Sequence, residues 1–284
     1  MKGIDIAKWN PVTDYAKVAQ QVDFAVLKII NKSNKEDGLF ATHLQGCRDN
    51  NIPLMGVYNY SYAETPDKAK ADAEAVIKTL QRHDLKTIVW LDVEEQAIAQ
   101  RLKSALLDVI YAYKEEIKAA GYTFGIYTGM CYYFDHIKPY VSILERIPLW
   151  IARYPSSSPM TIAQDPNMAK KPDVADMVAW QYSSKGQIAG IKGNVDLDIS
   201  YLNAEEITHF DEPLDPTARP ILRKGDRNEY VRSWQRMLNI NGYNCGKTDG
   251  WFGDKTEDAL IRWQQDHGIE AGYVGPQTWK TLEN

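Results

Sequence analysis

Short apolar runs separated by amphipathic stretches recur along the first two thirds of this 284-residue chain. Their length and residue types are those of buried strands. Strand and helix patterns alternate at least five times, which favours a mainly parallel sheet, and eight strands favour closure into a barrel. The predicted strands are 3–6, 24–30, 54–60, 87–95, 124–127, 149–153, 178–182 and 194–198. Loops replace helices in the last third, so we predict an α/β fold with an irregular TIM-like (β/α) barrel.

Helical patterns fill most of the gaps between these strands. The predicted helices are 14–22, 40–50, 66–83 and 97–120. After Leu202 the pattern stops, and prolines and acids without periodicity follow, which is typical of a linker. A small all-α module of three helices comes next, predicted over 229–238, 256–267 and 276–282. We therefore predict a catalytic barrel over 1–205, a linker over 206–220 and a three-helix module over 221–284.

The fourth predicted strand ends in two carboxylates, Asp92 and Glu94. Side chains alternate along a strand, so both acids point to one face, roughly 6.6 Å apart along the backbone. In a partly desolvated cleft the like charges oppose double ionisation, and one acid keeps its proton. A protonated acid beside an ionised one is what cleavage of a glycosidic bond requires. An acidic strand end in solvent would have the same sequence.

Polar and aromatic residues end several other predicted strands. In such barrels the chemistry lies at the carboxyl ends of the strands, so these side chains would meet at one mouth. Asp5 and Asp196 are candidates to complete an acidic ring with Asp92 and Glu94. The candidate substrate-binding residues are Lys28, Tyr58, Tyr60, Tyr127, Trp150, Arg153, Trp180 and Gln181. Aromatic faces suit sugar rings, but aromatic side chains also fill interiors, and that alternative stays open for each ring.

Composition narrows the possible partners. The net charge of −5 offers no electrostatic footprint for nucleic acid. No apolar run approaches the roughly 20 residues of a membrane-spanning helix, so membrane insertion is not expected. The start of the chain shows no secretory signal peptide, and three scattered cysteines fit a reducing compartment. The five histidines lack metal-ligand spacing, so no metal and no cofactor are expected. The oligomeric state cannot be read from this pattern.

Eight motifs occur in the order seen in family 25 of the glycoside hydrolases, which this chain resembles from residue 1 to about 203. They are Gly3–Ile6, Phe24–Lys28, Gly56–Tyr58, Leu91–Glu94, Gly125–Tyr127, Leu149–Ala152, Trp180–Tyr182 and Gly193–Leu197. The resemblance implies a retaining N-acetylmuramidase, a lysozyme that cuts the β-1,4 bond after N-acetylmuramic acid in peptidoglycan. It implies Glu94 as general acid, Asp92 as its charged neighbour, and Asp5 and Asp196 as the other acids. It leaves open whether a carboxylate or the substrate's own N-acetyl group attacks.

The C-terminal module resembles the small peptidoglycan-binding module of wall hydrolases. The motifs are Leu222–Asp226, Asp249–Gly253 and Gly275–Trp279. The two resemblances together imply bacterial cell-wall peptidoglycan as the partner. The pairing is similar to a phage endolysin that waits in the host cytoplasm until its release, although a bacterial autolysin would look alike. A chitinase-like glycosidase and a catalytically silent wall-binding protein remain alternatives.

Overall fold

The chain forms two compact units in the computed structural model, which describes residues 1–139, 147–174, 176–210 and 219–281. The first unit is built on a β-sheet, and its described residues end at 210. The second begins, among the described residues, at 219 and contains helices joined by turns. An α/β barrel followed by a small helical module is therefore confirmed as the fold class.

Eight of the nine strands described close into a barrel. The strands are β1 (Lys2–Ile6), β2 (Phe24–Lys28), β3 (Leu54–Tyr60), β4 (Ile88–Asp92), β5 (Thr123–Gly129), β6 (Leu149–Ala152), β7 (Met160–Thr161), β8 (Met177–Gln187) and β9 (Val195–Ser200). Strands β1 to β6 pair in order and in parallel, and β8 continues this parallel series from β6. Strand β9 runs antiparallel between β8 and β1 and closes the ring, while β7 pairs with β8 outside it. The antiparallel β9 is what makes the barrel irregular.

Helices cover the barrel where the sequence predicted them, except that one predicted helix is two separate helices in the structure. They are α1 (Tyr15–Ala19), α2 (Phe40–Asp49), α3 (Pro66–Arg82), α4 (Gln96–Leu102), α5 (Leu106–Ala119), the short α6 (Met130–Tyr132) and α7 (Ala204–Phe210). The single helix predicted over 97–120 is wrong, because Lys103 adopts a left-handed φ of 54° and separates α4 from α5. Neither proline nor glycine marks this break in the sequence.

Because of helix α7, the first unit ends later in the chain than predicted. Its Ile207 is fully buried and packs in the same apolar cluster as residues of the barrel interior. The barrel unit thus extends through 210, beyond the linker start predicted at 206. Of that predicted linker, 211–218 lies outside the described residues.

The barrel interior is filled by Trp90 on β4. Its indole N–H donates to the carbonyl of Met55 at 3.0 Å, and its ring packs edge-on against Trp150 at 5.9 Å. Glycines on both neighbouring strands make room for the indole. A Cβ at Gly125 would lie 2.4 Å from Trp90 Cζ3, and one at Gly56 would lie 2.5 Å from Nε1. Any side chain at either glycine would therefore collide with the ring.

The second unit has its own apolar core. Its described helices are α8 (Glu229–Ile240), α9 (Asp254–Asp266) and α10 (Pro276–Lys280). The buried ring of Trp234 packs edge-on against Trp263 at 5.2 Å and against Trp279 at 5.4 Å. All three rings belong to the apolar core of this unit. Within the described part of the chain, no helix is long and apolar enough to cross a membrane.

Candidate active site

The four predicted acids lie at one mouth of the barrel. Antiparallel pairing of β1 with β9 sets Asp5 directly opposite Asp196, near the amino end of β9. Asp92 is the last residue of β4, and Glu94 follows it just beyond the strand. Asp92 interacts electrostatically with Glu94 and Asp5, and Asp196 does so with Glu94 and Asp5. The strand predicted over 87–95 is too long, but the structure still brings these acids together.

Asp92 is buried and carries a strongly perturbed carboxyl. Burial raises its pKa well above the ordinary value, the charge of Glu94 raises it further, and Lys28 opposes both effects. Its Oδ1 is buried without a hydrogen-bond partner among the described residues. An ionised carboxylate with an unpaired buried oxygen is costly. Asp92 thus favours a proton or a hydrogen-bond donor supplied by a bound molecule.

Glu94 is half-buried and so remains accessible from the mouth. Burial is the main reason why its pKa is raised, and Glu95 adds to the rise, while Lys28 lowers it. Asp196 is also half-buried, and burial together with the charge of Glu94 raises its pKa to about 6. Glu94 therefore tends to keep its proton, while Asp196 ionises above a pH of about 6.

Asp198 is a buried acid of this site that the sequence analysis did not include. It is 1% exposed, and the indole N–H of Trp150 donates to its Oδ1 at 2.9 Å. Its other oxygen, Oδ2, is buried without a hydrogen-bond partner among the described residues. The carboxyls of Asp198 and Asp5 interact with each other, and the amide of Gln181 donates to Asp5 Oδ2 at 2.7 Å. Burial raises the pKa of both Asp5 and Asp198 well above the ordinary range. Two buried carboxyls in contact cannot both ionise, so the pair holds a proton.

Gln181 links this acid pair to two tyrosines. Its Oε1 accepts hydrogen bonds from Tyr127 Oη at 2.8 Å and from Tyr154 Oη at 2.6 Å. Tyr127 is buried and packs against Trp150 at 4.5 Å, so these two rings form the floor of the site and hold other groups in place. Tyr154 is 47% exposed and was not predicted. Its position just after β6 is the signal that could have identified it.

Lys28 and two tyrosines form the opposite wall. Lys28 Nζ lies 5.4 Å from the ring centroid of Tyr58 and 5.8 Å from that of Tyr60. Tyr58 also packs edge-on against Trp150 at 6.3 Å. The hydroxyl of Tyr60 donates to Glu95 Oε2 at 3.2 Å. Both rings are half-buried, so part of each faces the mouth.

Two of the predicted substrate contacts are not placed in the site. Trp180 is 0% exposed, lies on the other face of β8 from Gln181, and donates its indole N–H to the carbonyl of Arg153 at 2.8 Å. A fully buried ring cannot contact a substrate, which corrects the prediction for Trp180 and also that for Trp150, which is 2% exposed and binds Asp198 instead. The guanidinium of Arg153 donates to the carbonyl of Lys170 at 2.7 Å, and among the described contacts none joins it to the acids.

Trp9 is an exposed aromatic residue beside the mouth that the sequence analysis left out. It follows the carboxyl end of β1 and is 75% exposed, with Lys8 Nζ at 4.4 Å from a ring centroid. The next residue, Asn10, donates to the carbonyl of Asn194, just before β9, at 3.1 Å. Its place directly after a strand could have singled it out. In the described part of the chain, no group of three or more His, Cys, Asp or Glu residues is arranged to hold a metal ion.

Comparison with known families agrees with this geometry. The model of glycosyl hydrolases family 25 matches residues 4–191, which is most of the barrel. The chain belongs to this family. Asp196 and Asp198 lie beyond the matched range, so their place in the site comes from the pairing of β9. A second family model, for a peptidoglycan-binding domain, matches residues 227–282.

The relatives include two lysozymes and an autolysin of solved structure. The chain is 25% identical over 272 residues to the autolytic lysozyme of Clostridium acetobutylicum, covering 95% of this chain and 74% of that protein. It is 24% identical over 173 residues to the lysozyme of Lactococcus phage mv1, covering 57% of this chain and 82% of that protein. The solved modular autolysin LytC of Streptococcus pneumoniae aligns with a TM-score of 0.57 at 25% identity.

The match to LytC covers 70% of this chain and 46% of that autolysin, which has also been solved in complex with a synthetic peptidoglycan ligand. The chain therefore spans less than half of this modular relative. Family membership and the lysozyme relatives identify the barrel as a glycoside hydrolase that acts on peptidoglycan. The predictions of a lysozyme-type enzyme and of a wall substrate are confirmed at this level.

Proposed function

We propose that the barrel cleaves the β-1,4 bond between N-acetylmuramic acid and N-acetylglucosamine, with Glu94 as the general acid. The observation that carries this assignment is the difference in depth among the acids. Glu94 is the half-buried acid beyond the strand end, whereas Asp92 and Asp5 are buried beneath it. A proton donor must reach the leaving oxygen and must hold its proton near working pH, and Glu94 meets both conditions.

Among the remaining acids, Asp196 supplies negative charge to the reacting sugar. Cleavage passes through a transition state with positive charge on the ring, which ionised carboxylates stabilise. Asp196 has a pKa of about 6 and is half-buried, so at neutral pH it is the accessible ionised partner. Glu94 donates its proton to the leaving oxygen and then takes one from the water that completes hydrolysis. We assign net retention, which needs two displacements: Asp196 or the N-acetyl group of the same sugar attacks the anomeric carbon as the glycosidic bond breaks, and the water that Glu94 deprotonates then displaces the attacking group. Asp196 either makes this attack or orients the N-acetyl group for it.

Lys28 adjusts the pKa values of these acids. Its ammonium lowers the pKa of Asp5, Asp92 and Glu94, in opposition to the rise that burial causes. Tyr58 and Tyr60 flank the ammonium and offer half-exposed rings to a sugar. Tyr127, Trp150 and Gln181 are positioning residues, because their polar atoms bind the acids or one another.

The C-terminal module would hold the enzyme on its insoluble substrate. Tethering raises the local concentration of the second partner without a new catalytic contact. The site of action would then be the bacterial wall. Similarity to a phage lysozyme supports a route in which the protein stays in the host cytoplasm until the membrane is breached.

Replacement of the acid tests the assignment. Purified peptidoglycan is digested by the wild type and by Glu94→Gln, new reducing ends are reduced with borohydride, and mass spectrometry identifies the terminal sugar. We expect new muramic acid ends with the wild type and a loss of at least about 10²-fold in rate with Glu94→Gln, while sedimentation with intact walls is unchanged. Glu95→Gln is the matched control, since its carboxylate binds Tyr60, and it should keep most activity.

Other outcomes would replace the assignment. Substantial activity in Glu94→Gln would remove Glu94 from the acid role. Glucosamine ends would mean that the same carboxyls cut the alternate linkage, and equal turnover of chitin would favour a chitinase-like enzyme. Wall binding without any new ends would identify a silent binding protein.

A further inference from the structure

A side pocket of about 370 Å³ opens next to the active site, between the loop that follows β2 and the first turns of α3. Its wall on the side of β3 is formed by Tyr60 and Tyr62, whose ring centroids are 4.7 Å apart with planes tilted by 34°. The residues that give it chemical character are Lys32, Asn34, Tyr60, Tyr62, Lys68 and Asp72. The cleavage mechanism proposed for the barrel does not use this pocket.

The side pocket and the active site share a wall. Tyr60 lines the pocket, its hydroxyl binds Glu95, and its ring lies 5.8 Å from Lys28 Nζ. Lys28 in turn acts on the pKa of Glu94. A molecule that fills the pocket would therefore lie one side chain away from the proposed general acid. A group attached to a sugar in the active site could reach it.

The pocket presents positive charge that the described carboxylates neutralise only in part. Lys32 is exposed, and its Nζ lies 4.4 Å from the ring centroid of Tyr62. Among the described residues, no carboxylate lies within ion-pair distance of Lys32. Lys68 contacts Glu64 only at 3.7 Å, and Glu64 also pairs with Arg101 at 2.9 Å. The ammonium of Lys32 is thus available to an anionic ligand, and that of Lys68, which also interacts with Asp72, could be shared with such a ligand.

The loop that carries Lys32 is held in one shape. The side chain of Asn31 accepts hydrogen bonds from the backbone N–H groups of Ser33 at 2.9 Å and Lys35 at 3.4 Å. Asn34 adopts a left-handed φ of 56°, which asparagine tolerates better than most residues. Its amide donates to Asp72 on α3 at 2.7 Å and so ties the loop to the far wall. A preformed loop lowers the ordering cost of binding.

We propose that this side pocket binds the acidic peptide stem of peptidoglycan, with Lys32 and Lys68 pairing its carboxylates and the Tyr60–Tyr62 pair packing against its backbone. The inference rests on the proposed function, because each muramic acid of that substrate carries a peptide with free carboxylates next to the bond to be cut. The half-buried carboxylate of Asp72 gives the pocket one acceptor for a peptide N–H or amine. The pocket thus makes cleavage sensitive to the stem as well as to the sugar.

The test compares two substrates with the full-length protein. One is purified peptidoglycan chains with their stems, and the other is the same chains after an amidase has removed the stems. The variants are Lys32→Gln and the matched control Lys35→Gln, which removes the same charge from the same loop outside the pocket. We expect kcat/KM of the wild type to be higher on stem-bearing chains. Lys32→Gln should lower that value by about fivefold, the effect of one partly exposed ion pair, and leave the stem-free value unchanged.

Each result decides one of the two proposals. If Lys32→Gln lowers both substrates equally, lowers neither, or behaves like Lys35→Gln, the peptide pocket is refuted while the hydrolase assignment stands. Equal turnover of the two substrates by the wild type refutes it as well. If the wild type cuts neither substrate, the proposed function fails, and the peptide pocket fails with it. Unchanged activity of Lys32→Gln on stem-free chains also shows that the variant is folded.

Discussion

Substitution of Asp198 tests whether this residue holds the proton that the buried acid pair beneath the active site shares. It is buried, it accepts a hydrogen bond from Trp150 Nε1, and its second oxygen faces the carboxyl of Asp5. If Asp198 is the protonated member of the pair, it donates to Asp5 and accepts from Trp150. Asn offers the same acceptor and donor in the same shape. We therefore expect Asp198→Asn to fold and to cleave almost as the wild type does, and Asp198→Ala to do neither well.

The structure sets the size of the effect. Asp198→Ala leaves the indole N–H of Trp150 and the carboxyl of Asp5 without their partner in a buried place. Each unsatisfied buried group costs about 1–3 kcal/mol. The free energy of unfolding should therefore fall by roughly 2–6 kcal/mol, a large share of the about 5–15 kcal/mol that stabilises a typical domain.

The pH dependence has a definite sign. Burial raises the pKa of Asp198 in the folded state, so this carboxyl keeps its proton to a higher pH when folded than when unfolded. The unfolded state then binds fewer protons, and this group makes the wild type lose stability as pH rises above about 4, by at most about 1.4 kcal/mol per unit. Asn does not titrate. The stability of Asp198→Asn relative to the wild type should therefore increase from pH 4.5 to pH 7.

Urea unfolding followed by tryptophan fluorescence at both pH values measures these differences, with release of reducing ends as the activity readout. The separate core of the C-terminal unit serves as an internal reference, because the substitution does not touch it. Two results would refute the reasoning. One is a loss of stability in Asp198→Asn as large as in Asp198→Ala at pH 7, and the other is a difference from the wild type that shrinks as pH rises.

Two further substitutions probe the floor and the rim of the site. Gly125→Ala should lower the free energy of unfolding by about 1–3 kcal/mol, because its Cβ would lie 2.4 Å from Trp90 Cζ3. Gly129→Ala on the same strand is the control, since its Cβ would meet nothing within 4 Å. Thermal unfolding compares the two variants, and equal melting temperatures would contradict the packing argument. Asp196, with a pKa of about 6, should make kcat/KM of the wild type fall as pH drops below about 6. Asp196→Asn should lower the maximum and abolish this acid limb, and a profile with the limb intact would exclude Asp196 as its source.

The positions of the acids were largely predictable, because apolar strands that end in charge place that charge at one edge of a parallel barrel. Asp5, Asp92 and Glu94 follow this rule directly. Asp196 lies at the mouth for another reason, since β9 runs antiparallel and contributes its amino end. Period-two alternation along β9 puts Asp198 on the same face as Asp196. It could not show that Asp198 sits one step deeper, beside Trp150, because depth depends on the tilt and register of the closed barrel.

Neighbours on a fully buried strand were harder to assign. Trp180 and Gln181 are adjacent and both buried, so hydrophobicity does not reveal which of them faces the interior. The polar residue faces the acids, and the aromatic residue packs outside. The break at Lys103 was likewise invisible, because the left-handed residue is neither glycine nor asparagine and nothing in the local sequence favours it. Tertiary packing decides both features.

The placement of β9 between β1 and β8 also affects the timing of activity. Asp5 and Asp196 lie on the first and last strands of the barrel, and backbone hydrogen bonds between Met1 and Ser200 join those strands. A nascent chain translated only past Glu94 already carries the proposed acid but has no partner strand to complete the mouth. Catalytic competence would then arise in a single late event, when β9 has left the ribosome and pairs with β1.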